Sequence, residues 1–308
     1  MDQMFGTRRS GTRRAGFLPR LGLAGGVGLL GLAGFGTGAA PAATPVLHML
    51  PNHFASVASS RGRGSSTTAT ASPCWASGNW SGYAVSQTSP SGLPCVPASG
   101  QTYTSVSGTW TVPTVTGSRF GQSFSAAWTG IDGFTNSSLI QAGTEQDFYS
   151  GSAHYTAWWE ILPAAETPIS SITVEPGDSV TVAIAKVSGT QWSITLTDNG
   201  KAGHPAQAPF TTTESYSGPG ASAEWILEAP EVNGRIATLA QYGSTAFDLG
   251  TADGASPALA AGTGGELVAG NFFREQVVSI PSGPDTGTPP GDGFAVAYGS
   301  TAPPAPTS

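Results

Sequence analysis

The chain has 308 residues, of which only 10% are charged, and carries a formal net charge of −7. That length allows one large domain or two small ones with a well-buried core. The charge is uneven: 18 of the 19 Asp and Glu lie beyond residue 72, against five of the 12 Lys and Arg, so that stretch stands at −13 and is repelled by nucleic acid and by anionic membranes.

In chain order, Arg8, Arg9, Arg13, Arg14 and Arg20 precede the apolar run LGLAGGVGLLGLAGFG (21–36) and the small-residue zone TGAAPAATP. This is the layout of a secretory signal peptide. A membrane anchor is the competing reading, but the run is short for a span and rich in Gly. Residues 1–43 are therefore expected to be a signal peptide cleaved near Ala40–Ala43, and the mature protein to be secreted and extracellular. Residues 44–72 are rich in Ser, Thr and Ala without periodicity, as expected of a propeptide or linker. In an exported chain the two cysteines, Cys74 and Cys95, most simply form one disulfide. The four histidines show no ligand spacing, so neither a metal nor a cofactor is expected.

From about Asn79 the texture changes to short β-type runs separated by Gly, Ser, Asn and Pro. They include YTSVSGTWTVP (103–113), SITVEPGDSVTVAIAKV (171–187), QWSITLTDNGK (191–201), AEWILEA (223–229), ATLAQYG (237–243) and GFAVAYG (293–299). Alternation, β-branched residues and turn signals such as DNGK predict an all-β, antiparallel two-sheet β-sandwich over residues 73–300. SGPDTGTPPGDG (282–293) reads as a surface loop, and residues 301–308 as a disordered tail.

Strand alternation sorts the polar residues onto faces. Glu224, Ile226 and Glu228 share one side of their run; Trp128, Gly130 and Asp132 align in SFSAAWTGID (123–132). Thr156, Trp158 and Glu160 align in HYTAWWEIL (154–162), and Gln141 and Gly143 in LIQAG (139–143). A sheet face carrying aromatics, carboxylates and an amide suits a groove for an extended polymer. Taken singly, each residue has a plainer reading: Gln141 as a surface or turn amide, Glu224 as an outward strand position, the tryptophans as core, and Glu160 and Asp132 as structural hydrogen-bonders.

NWSGY (79–83), WTGIDG (128–133) leading to LIQAGTEQDF (139–148), YTAWWEILP (155–163) and ASAEWILE (221–228) together resemble the glutamic peptidases, the eqolisin family. The resemblance covers roughly residues 75–300, and the order and spacing of these motifs make it specific. It implies a concanavalin A-like jelly-roll sandwich that cleaves peptide bonds in acid with a Gln–Glu dyad. Gln141 and Glu224 match the catalytic pair; Trp80, Trp128, Asp132, Gly143 and Glu160 match positions that line the substrate cleft. Thr156 departs from the pattern, where an acidic residue is expected. The implied partner is a polypeptide substrate, and the enzyme is expected to be a monomer.

The chemistry is consistent on its own terms. Hydrolysis without a metal or a nucleophilic side chain needs a base for water, an acid for the leaving nitrogen and a donor for the oxyanion. Glu224 can move the proton, and Gln141 can hold the water and donate to the oxyanion. An amide partner adds no like charge, so Glu224 is expected to stay ionised in acid. The alternatives are a β-sandwich glycoside hydrolase using Glu160 and Glu224 as paired carboxylates, and a noncatalytic carbohydrate-binding protein. Fold alone does not separate the three.

Overall fold

The computed structural model describes residues 45–55, 73–270 and 275–307; the leader expected over 1–43 lies outside the described residues, as do residues 56–72. The strands in chain order are β1 (Leu47–His48), β2 (Trp75–Ser77), β3 (Trp80–Ser86), β4 (Ser105–Thr111), β5 (Ala126–Ile131) and β6 (Ile140–Tyr149). They continue as β7 (Ser152–Ile161), β8 (Thr167–Pro168), β9 (Ser179–Ser188), β10 (Gln191–Lys201), β11 (His204–Pro205), β12 (Phe210–Ser215) and β13 (Ser222–Glu228). The last are β14 (Glu231–Val232), β15 (Arg235–Ile236), β16 (Ser244–Ala252), β17 (Gly265–Ala269), β18 (Gln276–Pro284) and β19 (Phe294–Tyr298). No helix occurs among the described residues.

One ladder runs β11-β10-β9-β4-β16-β19-β18-β17-β3-β13-β5-β6-β7-β8, and β1-β14-β15 form a small second sheet. The ladder folds over on itself, so that β4 and β9 lie across β5 and β6. Its pairings are antiparallel apart from the parallel contact of β2 with β17. The predicted all-β sandwich is therefore the observed fold. Cys74 and Cys95 are disulfide-bonded, with Cα atoms 5.9 Å apart, which fastens the start of β2 to the loop after β3.

Period-two alternation builds the core. Val106 and Trp110 of β4, Val180, Val182 and Ile184 of β9, and Ile194 and Leu196 of β10 face Ala127, Ile131, Ala142, Ala223, Trp225 and Leu227 from the other layer. Each large aliphatic side chain buried there contributes about 2 kcal/mol. Strands β5 and β13 are buried along their whole length, because their second face is also covered. That face carries Trp80, Trp128, Trp158 and Ile226, packed with Leu47 and Met49 from the N-terminal segment.

Several details differ from the sequence reading. β18 runs to Pro284, into the stretch read as a surface loop, where Ser282, Asp285 and Asp292 are buried. In QWSITLTDNGK the whole stretch is strand, and DNGK is a register shift between Asp198 and Gly200 rather than the turn; Lys201 still pairs with His204 beyond it. In SITVEPGDSVTVAIAKV the first half is irregular and the strand begins at Ser179, since Ile172 and Val174 plug the sandwich edge without a neighbouring strand. ATLAQYG makes only isolated bridges, and its strand begins at Ser244.

Candidate active site

Four neighbouring strands bring the predicted residues into one row. Glu224 of β13 lies opposite Gly130 of β5, Gly130 opposite Gln141 of β6, and Gln141 opposite Glu160 of β7. Directly opposed residues project from the same face, so Glu224, Gln141 and Glu160 point the same way. Glu224 and Gln141 stand two strands apart, roughly 10 Å between backbones, and the residue between them has no side chain. A Cβ at Gly130 would lie 2.9 Å from Ile140 O and 3.1 Å from Gln141 Cβ. The glycine thus leaves the space over which the carboxyl and amide ends can converge.

Gln141 Nε2 donates to Glu160 Oε2 at 2.8 Å, which fixes the amide and leaves its second N–H free to turn elsewhere. Gln141 Oε1 and both carboxyl oxygens of Glu224 are buried without a well-formed hydrogen bond to protein, Ser222 being the side chain near enough to favour the Glu224 charge. An unpaired buried acceptor costs about 1–3 kcal/mol, and three of them in one row make a site that calls for donors.

Burial governs the electrostatics. Glu224 is held well above the ordinary carboxylate range by desolvation, with Asp132 adding to the rise. Glu160 is pushed up to about 9 by burial and then by the charges of Glu228 and Glu166. Glu228 is pushed up to about 8 by burial, against the downward pull of hydrogen bonds from Leu50, Asn79 and Trp128. In this closed arrangement desolvation outweighs the benefit of a neutral partner, and works against the ionised Glu224 expected in acid.

The closure comes from the chain itself. Residues 45–55, which composition set apart from the fold, lie on the face that carries the row. β1 pairs with β14; His48 Nδ1 meets Glu160 Oε1 at 2.5 Å; and the Met49 amide donates to Glu160 Oε2 at 3.2 Å. Leu50 N–H donates to Glu228 Oε1 at 2.9 Å, and Trp80 Nε1 donates to Leu50 O at 2.9 Å. Gln141, Glu160 and Glu224 are each 0% exposed. The groove is a groove holding peptide, not an open one.

The remaining predicted residues divide. Trp80 touches the segment and packs edge-on against Trp128 with centroids 4.9 Å apart, while Trp128 Nε1 donates to Glu228 Oε2 at 3.0 Å. Gly143 makes room for that indole, since a Cβ there would sit 2.6 Å from Trp128 Cβ. Asp132 is engaged with protein: it accepts from Tyr216 Oη at 2.6 Å, Gly220 N at 2.8 Å, Ala221 N at 2.7 Å and Asn136 Nδ2 at 3.0 Å. It holds the chain entering β13 in place beside Glu224.

Residues missing from the sequence reading are also acidic. Thr156, where an acid was expected, lies directly opposite Glu145. Glu145, Asp147 and Glu166 line a cavity of about 280 Å³ beneath Pro45–Leu47, and burial raises all three carboxyls. Their signal was even spacing: Glu145 and Asp147 follow Gln141 by four and six positions on one strand, as Glu228 follows Glu224 by four. Sequence spacing also missed that Asp178, Asp198 and His204 bring potential ligand atoms within 4.8 Å of one another. These groups are engaged with each other, with Lys201 Nζ and with Gln207 Nε2, as a brace for the β10–β11 corner.

The model of the Peptidase A4 family matches residues 78–268, which contain the whole row. The chain belongs to the Peptidase A4 family. This agrees with the glutamic-peptidase resemblance of the sequence motifs. Aspergillopepsin-2 of Aspergillus niger is 29% identical over 167 residues, 48% of this chain and 59% of that relative; the chain thus matches less than two thirds of its length. The crystal structure of scytalido-glutamic peptidase with a transition state analog inhibitor is 22% identical with a TM-score of 0.53, covering 72% of this chain and 98% of that one. At that identity the likeness concerns the fold. Within the matched residues, the row on β13, β5 and β6 carries unpartnered acceptors at Gln141 and Glu224.

Proposed function

We propose that this Peptidase A4 family member is a secreted acid endopeptidase in which Glu224 and Gln141 act together on one water molecule. The observation that carries this reading is the row itself: unpartnered acceptors of Gln141 and Glu224 over Gly130, on a face already occupied by extended peptide. Export is supported by the leader-like N-terminus and by the disulfide.

In the reaction, the Glu224 carboxylate accepts a proton from water while Gln141 Oε1 accepts a hydrogen bond from the water's remaining O–H. The water oxygen bonds to the scissile carbonyl carbon, and the resulting oxyanion accepts from the free N–H of Gln141. Glu224 then returns its proton to the amide nitrogen as the C–N bond breaks. Glu160 takes no part in the bond changes; it holds the Gln141 amide in the required orientation. Trp80 lies against the substrate chain, Trp128 and Gly143 set the groove wall, and Asp132 supports the entry to β13.

Glu224 must be ionised to begin. In the covered groove its raised pKa keeps it neutral, so departure of residues 45–55 and entry of water lower the pKa and switch the base on. Activity is expected to fall at low pH as Glu224 protonates. The test is hydrolysis of denatured casein by the full chain from pH 2 to 9, read as new amino termini. Glu224→Gln and Gln141→Ala are expected to lose about a hundredfold or more in kcat with an unchanged circular dichroism spectrum. Full activity in either variant, or release of reducing ends from a β-glucan in place of peptides, would overturn the proposal.

A further inference from the structure

The backbone of Leu50–His53 is held to an unusual degree. Leu50 N–H goes to Glu228 Oε1, and Leu50 O accepts from Trp80 Nε1 at 2.9 Å and Asn79 Nδ2 at 3.3 Å. Pro51, which has no N–H, accepts at its carbonyl from Asn79 Nδ2 at 3.1 Å. Asn52 N–H donates to Gly133 O at 2.9 Å. His53 N–H donates to Asn79 Oδ1 at 2.9 Å, and His53 O accepts from Gly78 N at 2.8 Å. None of these contacts reads a side chain of the segment.

The groove residues are themselves braced. Ser77 Oγ donates to Asn79 Oδ1 at 2.9 Å, and Asn79 Nδ2 reaches Glu228 Oε1 at 3.2 Å. Trp128 Nε1 occupies the other oxygen of Glu228. Asn79 and Glu228 are both 0% exposed with residues 45–55 in place, and Ser77 and Trp128 hold them from the groove side. The site is also in register with the row. Glu228 stands four residues from Glu224 on one strand face, roughly 13 Å along β13. The Met49 amide, one residue before Leu50, shares Glu160 Oε2 with Gln141 Nε2.

We infer that Asn79 and Glu228 form a backbone clamp for extended polypeptide: positioning residues that grip the substrate main chain whatever its side chains, and that residues 50–53 occupy in its absence. The inference rests on the peptidase reading of the neighbouring row. Its chemistry favours sequence-tolerant binding, because N–H and C=O groups are the same at every residue. It also makes substrate and the N-terminal segment mutually exclusive. Both oxygens of Glu228 accept, from Leu50 N–H and Asn79 Nδ2 at Oε1 and from Trp128 Nε1 at Oε2. A carboxyl oxygen can accept even when protonated, whereas the NH₂ of Gln cannot, so Gln in its place loses a bond.

The experiment compares groove-side and segment-side variants of the full chain. Leu50→Pro deletes the one N–H that Glu228 accepts from the segment and leaves the groove intact, so the initial rate on a peptide substrate is expected to rise. Asn79→Ala and Glu228→Gln are expected to raise KM about tenfold or more, with a much smaller effect on kcat. If both instead quicken hydrolysis as Leu50→Pro does, with KM unchanged, the clamp serves the segment alone and the inference is wrong. A second measurement needs no turnover: binding to the Leu50→Pro chain of a fluorescein-labelled peptide whose sequence is unrelated to residues 45–55. Adding Asn79→Ala is expected to weaken that binding about tenfold; unchanged affinity overturns the clamp. Absence of hydrolysis in all variants would count against the peptidase reading, and the binding arm would still decide the clamp.

Discussion

Gly130 shows how much of the site rests on a single missing atom. A methyl group there meets Ile140 O and the Cβ of Gln141, and neither can retreat easily within the buried start of β6. Gly130→Ala is therefore expected to displace Gln141 from the row, lowering kcat at least tenfold while costing stability about 1–3 kcal/mol. Paired measurement of kcat and of the urea midpoint checks this; unchanged kcat would mean that Gln141 does not depend on the gap. At this scale the sequence was informative about which residues matter. The even spacing of Glu224, Ile226 and Glu228 sorted them onto one face, as the ladder has them. The protonation state of Glu224 was not legible, because it depends on complete burial within the folded chain, which strand alternation does not specify.

Among the elements, β13 is the one both layers depend on. It pairs with β3 and β5, sends Trp225 and Leu227 into the sandwich core and Ile226 to the groove side. Ile226→Ala leaves a cavity beside the tryptophans and is expected to destabilise by about 2–5 kcal/mol, measurable by chemical denaturation. The Cys74–Cys95 bridge closes a loop with a separation of 21 residues; reducing it is expected to cost about 3 kcal/mol, seen as a lower Tm with reductant. Strands with clean alternation, such as 103–113 and 191–197, were legible. Residues 45–55 were not, since their order comes largely from backbone bonds to Asn79, Glu160 and Glu228, and the alternation of buried Leu47 and Met49 is too short to stand out. DNGK misled for a related reason: the pairing of Lys201 with His204 carries the strand past a sequence that favours a turn.

Over the whole molecule, acidic groups are gathered inside. Glu224, Glu228, Glu160, Glu145, Asp147 and Glu166 all have raised pKa values through burial. A carboxyl whose pKa is higher folded than unfolded stabilises the fold fully below its unfolded pKa, and that contribution is lost as pH rises through the folded value. Stability is therefore expected to be greatest near or below pH 4 and to decline up to about pH 8–9, where Glu228 and Glu160 ionise. Urea midpoints at pH 3.5 and pH 8 check the sign; a higher midpoint at pH 8 would contradict it. The acidic composition permitted acid tolerance, but the cause lies in where the carboxyls are buried, which composition does not specify.

The account turns on Glu224 and Gln141 acting on the same water, and a double-mutant cycle addresses this most directly. Measured as kcat/KM on one peptide substrate, Glu224→Gln and Gln141→Ala should each remove most of the activity, and the double variant should be little slower than the slower single variant. Losses that multiply across the two sites, or a single variant that retains its rate, would show that the two residues do not work as a pair.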